Sequence, residues 1–206
     1  IREIRKTTNG MLDSIASYIS LYYGFKGINI CLQSACATGL VTIDFAINHI
    51  DEYDYVIAGG ADAGCNNIDM KFFNLLQAIG TKSKPFDNER DGFIMGEGAG
   101  CLILESEEKA KARNAKIYGY VYSVGHASDA FNVTSPDGSG ALTAMKQAIR
   151  NSKLNPDVIN AHGTSTPIGD QVEYNAIRKI LNKPIYSVKG KIGHTFAGAG
   201  ILEVIY

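Results

Sequence analysis

The chain has 206 residues, 45% of them apolar and 20% charged, enough to bury one sizeable core within the range of a single globular domain. Lys and Arg number 20 against 21 Asp and Glu, so the near-neutral balance gives no support to a nucleic-acid or polybasic membrane-surface role. No apolar run approaches the roughly 18 residues of a membrane span, and Ile1-Arg2-Glu3-Ile4-Arg5-Lys6 does not read as a signal peptide. A location in the cytoplasm, or in a plastid or mitochondrion if the source is eukaryotic, is therefore expected. The start without Met and the stop at Ile205-Tyr206, inside a helical pattern, suggest a piece of a longer protein.

In chain order, Gly27–Leu32, Tyr55–Ala58, Gly100–Leu104, Lys116–Val124, Val158–Ala161 and Pro184–Val188 are predicted as buried strands. Between them, Ala37–Ile50, Ala141–Ser152 and Gln171–Leu181 carry apolar residues at helical spacing, as Leu40, Ile43, Ile47 and Ile50 show. This alternation predicts an α/β layered fold with helices covering a largely buried sheet. Ser106–Asn114 reads as a solvated helical face, and 80–98, with many polar residues and weak periodicity, as a long loop of the kind that is often functional. No linker, repeat or low-complexity tract splits the chain, so 1–206 reads as one unit.

Cys31, Cys36, Cys65 and Cys101 form no CxxC pair and show no metal-ligand spacing with the four histidines; reduced thiols and no metal are expected. Cys36 stands apart, because Gln33-Ser34-Ala35-Cys36-Ala37-Thr38-Gly39 places it where a strand turns into a helix. The unsatisfied N–H groups of a helix start favour thiolate, which would lower its pKa and activate it as a nucleophile. An isolated cysteine is more often a small buried hydrophobe, and the segment alone does not separate the two. His162, in Asn160-Ala161-His162-Gly163-Thr164-Ser165-Thr166-Pro167, and His194, in Gly190-Lys191-Ile192-Gly193-His194, each follow a predicted strand. Sites in open α/β sheets form beyond the carboxyl ends of strands, so all three reactive groups can converge there. A Cys–His pair alone would also suit a cysteine hydrolase. A second glycine-flanked His favours two imidazoles donating to one thioester oxygen, stabilising the enolate left when a malonyl group loses carbon dioxide. Glu173 and Lys189 read as a supporting ion pair, although either alone would usually be an exposed charge.

These segments resemble the β-ketoacyl-acyl-carrier-protein synthases, over the full length of the chain. The resemblance rests on Ser34-Ala35-Cys36-Ala37-Thr38-Gly39, then Ala58-Gly59-Gly60-Ala61, then Pro85-Phe86-Asp87 through Arg90-Asp91-Gly92-Phe93 to Gly96-Glu97-Gly98-Ala99-Gly100. It continues through His162-Gly163-Thr164-Ser165-Thr166 with Gly169-Asp170 and Glu173, and Lys189 with Gly193-His194 and Gly198-Ala199-Gly200. A string such as GEGAG is weak alone; all five in order are very specific.

The resemblance implies a thiolase-like layered α-β-α-β-α fold, here partial, and a homodimer built around the strand near Ala58–Ala61. It implies acylation of Cys36 from an acyl carrier protein and decarboxylation of a malonyl thioester at His162 and His194. It also implies a loop held by Lys189 with Glu173, and Thr164 and Thr166 on the phosphopantetheine arm. No organic cofactor is implied, because the arm arrives on the carrier. The Cys36 N–H would be one oxyanion donor, and the family's second comes from a Gly-Phe-Gly segment beyond this sequence. The 206 residues alone are accordingly expected to be inactive.

The short 80–84 loop and the Leu40-Val41 pair depart from the family pattern and bear on chain length and carrier docking. Lys82 and Lys84 read as solvated lysines that could also meet an acidic carrier. Cys31 and Cys101 are expected in the core and Cys65 near the interface. Asn132, Thr134 and Pro136 resemble a loop near the active-site mouth. A polyketide ketosynthase domain is the closest alternative, with a non-catalytic chain-length-factor subunit and a thiolase less compatible with Cys36 and the two histidine motifs.

Overall fold

The computed structural model describes residues 11–132 and 135–206. Ile1–Lys6 and Thr134, named above, lie outside the described residues. Helix α1 (Ser14–Tyr23) precedes the 3-10 turn Ala35–Ala37 and α2 (Thr38–Asn48). β1 (Val56–Asp62), α3 (Asn67–Leu75), β2 (Gly98–Leu104) and α4 (Glu107–Ala112) follow. The second half holds α5 (Ser139–Ser152), β3 (Ile159–Asn160), α6 (Pro167–Arg178), β4 (Ile185–Tyr186) and α7 (Lys189–Ile192). The 3-10 turn Phe196–Gly198 then leads into α8 (Ala199–Ile205).

β1 and β2 pair antiparallel from Val56↔Leu104 to Asp62↔Gly98, and β3 and β4 pair parallel through Ile159↔Ile185 and Asn160↔Tyr186. Helices α2 and α8 cover one face of the β1–β2 sheet. Ile43 and Ala46, one helical turn apart on α2, meet Ala58 of β1 and Ile201 of α8, with Ile47, Val56, Leu102 and Leu104 around them. The start of α2 is fixed locally: Thr38 Oγ1 accepts from Ser34 N–H at 2.9 Å and donates to the Ala35 carbonyl at 2.7 Å. Among the described residues, no helix is long and apolar enough to cross a membrane.

The helices predicted around 37–50, 141–152, 171–181 and 106–114 are present with small boundary changes, as are both strands of the first sheet. Gly27–Leu32 and Lys116–Val124 are not strands. No strand among the described residues lies beside them to take their backbone groups, and Ile28, Ile30, Tyr118 and Tyr120 are exposed. Likewise Cys31 and Cys101 are exposed rather than core; Cys101 points away from α2 and α8 on the bare face of β2. Cys65 is exposed in the turn after β1, where its N–H donates to Glu97. Asn132 and Pro136 are exposed, and Asn132 Oδ1 accepts from Ser135 N–H.

Candidate active site

The site forms where α2 and α8 cross. A Cβ on Gly39 would lie 2.6 Å from Ile201 N, and one on Gly200 would lie 2.8 Å from Leu40 N, so only glycine lets the two backbones approach this closely. Cys36 immediately precedes α2 and His194 closely precedes α8, so this crossing sets Cys36 Sγ 3.1 Å from His194 Nε2. His162 leaves the β3–β4 pair just beyond Ala161, whose N–H donates to the Tyr186 carbonyl at 2.8 Å. Its ring sits edge-on to His194 with centroids 5.3 Å apart. Spacing along the sequence gave no sign of a shared ligand set. The fold nonetheless brings Cys36 Sγ and one nitrogen of each ring within 4.8 Å of one another.

Hydrogen bonds fix the tautomer of both rings. Phe196 N–H donates to His194 Nδ1 at 3.0 Å, which leaves the proton on Nε2, facing Cys36. The Lys189 ammonium, which can only donate, lies 3.4 Å from His162 Nδ1, so that ring too carries its proton on Nε2. Burial, the neighbouring His162 and Lys189 push the His194 pKa down to about 2. Burial and Lys189 push His162 down to about 3. His162 keeps an exposed edge in the cleft, which opposes part of that drop, but both influences act downward and the ring is neutral at pH 7. The site therefore presents two neutral N–H donors beside a thiol.

The expected Glu173–Lys189 ion pair is not formed. Lys189, 1% exposed at the start of α7, is paired with Glu203 on α8. Glu173 instead accepts from His162 N–H at 2.7 Å and Gly163 N–H at 2.8 Å, clamping the backbone of the histidine turn from α6. Two adjacent N–H donors in the turn, with Gly163 at φ +41, suit the Glu173 carboxylate, and the Lys189 ammonium pairs with Glu203 instead. Burial pushes both carboxyl pKa values up, with Lys189 opposing that rise most strongly at Glu203. The Cys36 pKa is also raised, not lowered as the helix-start argument has it. Burial outweighs Lys189 and the cysteine's own N–H, and Asp62 and Glu203 add to the rise.

The loop 80–98 braces the histidine turn. Arg90 donates through Nε to the Thr166 carbonyl at 3.2 Å and through Nη2 to the Pro167 carbonyl at 2.7 Å. Buried Asp170 accepts from Phe86 N–H at 2.7 Å and Ser165 N–H at 3.0 Å. Ser83 Oγ donates to the Lys189 carbonyl at 2.7 Å. Ala35, Ser165 and Phe196, none of them glycine, have positive φ of 46°, 72° and 44°, so the backbone is strained within three residues of Cys36, His162 and His194. Phe93 and Phe196 flank His194, the latter stacked at 4.7 Å between centroids. Thr164 and Thr166 hydroxyls hydrogen-bond each other at 3.0 Å beside His162. Lys84 pairs with Glu89 at 3.1 Å on the outside of the loop.

Two family models, the N-terminal domain of beta-ketoacyl synthases over residues 1–110 and the C-terminal domain over 115–206, together match nearly all of the sequence. The chain belongs to the β-ketoacyl synthase family. It is similar to the mitochondrial 3-oxoacyl-acyl-carrier-protein synthase of Arabidopsis thaliana, 38% identical over 95% of this chain and 47% of that protein. It is also similar to 3-oxoacyl-acyl-carrier-protein synthase 2 of Vibrio cholerae, 39% identical over 95% of this chain and 52% of the relative. The chain thus spans about half the length of the curated relatives it matches. Among solved structures, a type II polyketide ketosynthase in complex with its acyl-carrier protein superposes with a TM-score of 0.89 at 31% identity, covering 94% of this chain and 52% of that one. A beta-ketoacyl synthase from Burkholderia phymatum gives a TM-score of 0.87 at 36% identity, covering 93% and 50%. The family's thiolase-like layered α/β architecture is therefore the fold of this partial synthase chain.

Among the residues that shape this synthase site, sequence reasoning missed Glu203 and Phe196. Glu203 sits 14 residues beyond Lys189, on the last helix, and its only sequence signal is a lone carboxylate on an otherwise apolar helix. The Phe196 contribution is a backbone N–H, which no side-chain pattern reveals.

Proposed function

We propose that the protein is a 3-oxoacyl-acyl-carrier-protein synthase that elongates fatty acyl chains by decarboxylative condensation. The observation that carries this reading is that a donor faces Nδ1 of both His162 and His194, which leaves each Nε2 to carry a proton, beside a single thiol. A hydrolase would need one histidine nitrogen free to take the thiol proton, and His194 Nε2–H is a donor to Cys36.

In this reading Cys36 Sγ, as thiolate, attacks the thioester carbonyl of an acyl carrier protein. A C–S bond forms to Cys36, the bond to the phosphopantetheine sulfur breaks, and that sulfur leaves as a thiol, taking up the proton that the Cys36 thiol released. The Cys36 N–H is one donor to the oxyanion. A malonyl thioester then binds with its carbonyl oxygen accepting from His162 and His194. Its carboxylate leaves as carbon dioxide, and the electron pair left behind is held as an enolate by the two N–H donors. The enolate carbon attacks the acyl-Cys36 carbonyl, forming the new C–C bond and expelling the Cys36 thiolate. Lys189 and Glu173 act as positioning residues, the first on the His162 ring and the second on its backbone. Thr164 and Thr166 are assigned to the phosphopantetheine arm, which needs no further organic cofactor.

The partners we assign are an acyl carrier protein and a second copy of the chain; neither nucleic acid nor membrane is required. Support for the second copy comes from β1, whose edge opposite β2 has no strand partner among the described residues. The compartment we assign is the cytoplasm or, in a eukaryote, an organelle matrix. A polyketide ketosynthase is the second reading, favoured by the structural neighbours at 30–31% identity and disfavoured by the 38–39% identity to synthases of the 3-oxoacyl type. The full-length protein, given acyl-loaded and malonyl-loaded carrier, is expected to release carbon dioxide and give a 3-oxoacyl product two carbons longer. Acyl transfer to water with no new C–C bond would replace this reading with a hydrolase.

A further inference from the structure

Cys36 Sγ with one nitrogen from each of His162 and His194 is, by donor type, a three-ligand zinc site with an open fourth position. Metal–donor bonds of about 2.0–2.3 Å place neighbouring donor atoms about 3.3–3.6 Å apart in a tetrahedral site. The Cys36 Sγ–His194 Nε2 separation of 3.1 Å is close to that, and all three donors lie within 4.8 Å. By distance alone, small side-chain adjustments would give a thiophilic divalent ion a three-point grip on the reactive thiol.

The groups behind the rings oppose it. A metal-bound histidine normally donates its other N–H to a carboxylate or carbonyl, which orients the ring and raises its basicity. Here both second nitrogens face donors instead: Phe196 N–H at His194 Nδ1, and the Lys189 ammonium at His162 Nδ1. An ion approaching Nε2 meets a proton that can move to Nδ1 only against an existing donor. An ion approaching Nδ1 must displace a backbone N–H or an ammonium. The nearby carboxylate on α8 that could receive a ring N–H, Glu203, is engaged by Lys189. Lys189 thus blocks the position behind His162 and engages Glu203, while the Phe196 N–H blocks the position behind His194.

We propose that Lys189 and the Phe196 N–H are a metal guard: by fixing the ring tautomers of His162 and His194, they keep Zn2+ and similar thiophilic ions out of the Cys36–His162–His194 cluster. This role is separate from condensation, because ion binding is read without turnover and does not depend on which acyl groups the protein joins.

The test uses the full-length protein, with Co2+ as a spectroscopic substitute for Zn2+. Lys189→Met removes the donor at His162 Nδ1 and frees Glu203. The variant is expected to bind Co2+ about 10- to 100-fold more tightly than wild type, the range that such supporting partners carry. A sulfur-to-cobalt absorption band should appear and vanish when Cys36→Ser is added. Nitrogen NMR of the wild-type histidines should show both rings protonated on Nε2. Equal Co2+ affinity in wild type and Lys189→Met would overturn the guard, as would a proton on Nδ1 of either wild-type ring. Lys189→Met/Glu203→Leu removes the donor together with its partner charge, so tighter binding than wild type is again expected. It covers the case in which the single variant does not fold.

Discussion

Replacing Glu203 by Gln isolates the ion pair that the structure substitutes for the expected one. Lys189 is 1% exposed and the Glu203 side chain 14%, so the ammonium cannot recover water when its partner is neutralised. Unpairing a buried charge costs about 3–5 kcal/mol, whereas an exposed pair is worth at most about 1 kcal/mol. Glu173→Gln should cost less, about 1–3 kcal/mol, because one of its two N–H donors keeps an acceptor and the other is left facing an amide. Urea unfolding of the full-length protein, followed by circular dichroism, measures both. The decisive comparison is rescue. Lys189→Met should recover most of the stability lost in Glu203→Leu, since two apolar side chains can replace a buried pair, and should recover none in Glu173→Gln. If Lys189→Met rescues Glu173→Gln and leaves Glu203→Leu unchanged, the pairing described here is wrong.

Three further outcomes are expected. Because burial raises the Cys36 pKa, alkylation of Cys36 by iodoacetamide should accelerate about tenfold per pH unit through the ordinary thiol range near pH ~8.5 without levelling off; a plateau near pH 6 would show a thiol activated below its usual range. Burial pushes the His162 and His194 pKa values down, to about 3 and about 2, from an unfolded value of about 6.5, so between those limits the unfolded chain binds more protons and stability rises with pH. Unfolding at pH 5 should then take up about two protons that His162→Ala/His194→Ala does not, and equal uptake by the two proteins would contradict the depressed values. Gly200→Ala forces a Cβ to 2.8 Å from Leu40 N and should cost about 1–3 kcal/mol while reducing Cys36 acylation, because it spreads the crossing that sets the 3.1 Å contact; acylation at the wild-type rate would show that the crossing does not position the thiol.

The helices were legible where apolar residues recur on one face, as Ile43 and Ala46 do against the sheet. Helix α1 was not, since Ser14–Tyr23 is mostly apolar apart from Ser14, Ser17 and Ser20 and buries none of its residues in these contacts. Gly27–Leu32 and Lys116–Val124 have strand composition, but a strand also needs a neighbour for its N–H and C=O groups, and composition does not supply one. Cys36, His162 and His194 could be picked out because each follows an apolar run of strand composition, although only His162 leaves an observed strand: Gly27–Leu32 is not one, and α7 stands between β4 and His194. What joins them could not be read: the α2–α8 crossing is a contact between glycines 161 positions apart. The partner of Lys189 was misread for a related reason. Glu173 lies close in the motif, but its carboxylate has two backbone donors nearer than the ammonium. The sign of the Cys36 shift depended on burial, which a helix-start argument leaves out.

The central claim is that Cys36 carries the acyl group beside two donor histidines. Mass spectrometry of the full-length protein after incubation with a medium-chain acyl carrier protein, wild type against Cys36→Ser, tests it most directly. An acyl mass on the Cys36 peptide of the wild type, absent from the variant and lost on adding malonyl-loaded carrier, is the predicted result. A folded wild-type protein that takes no acyl group at Cys36 would contradict the account.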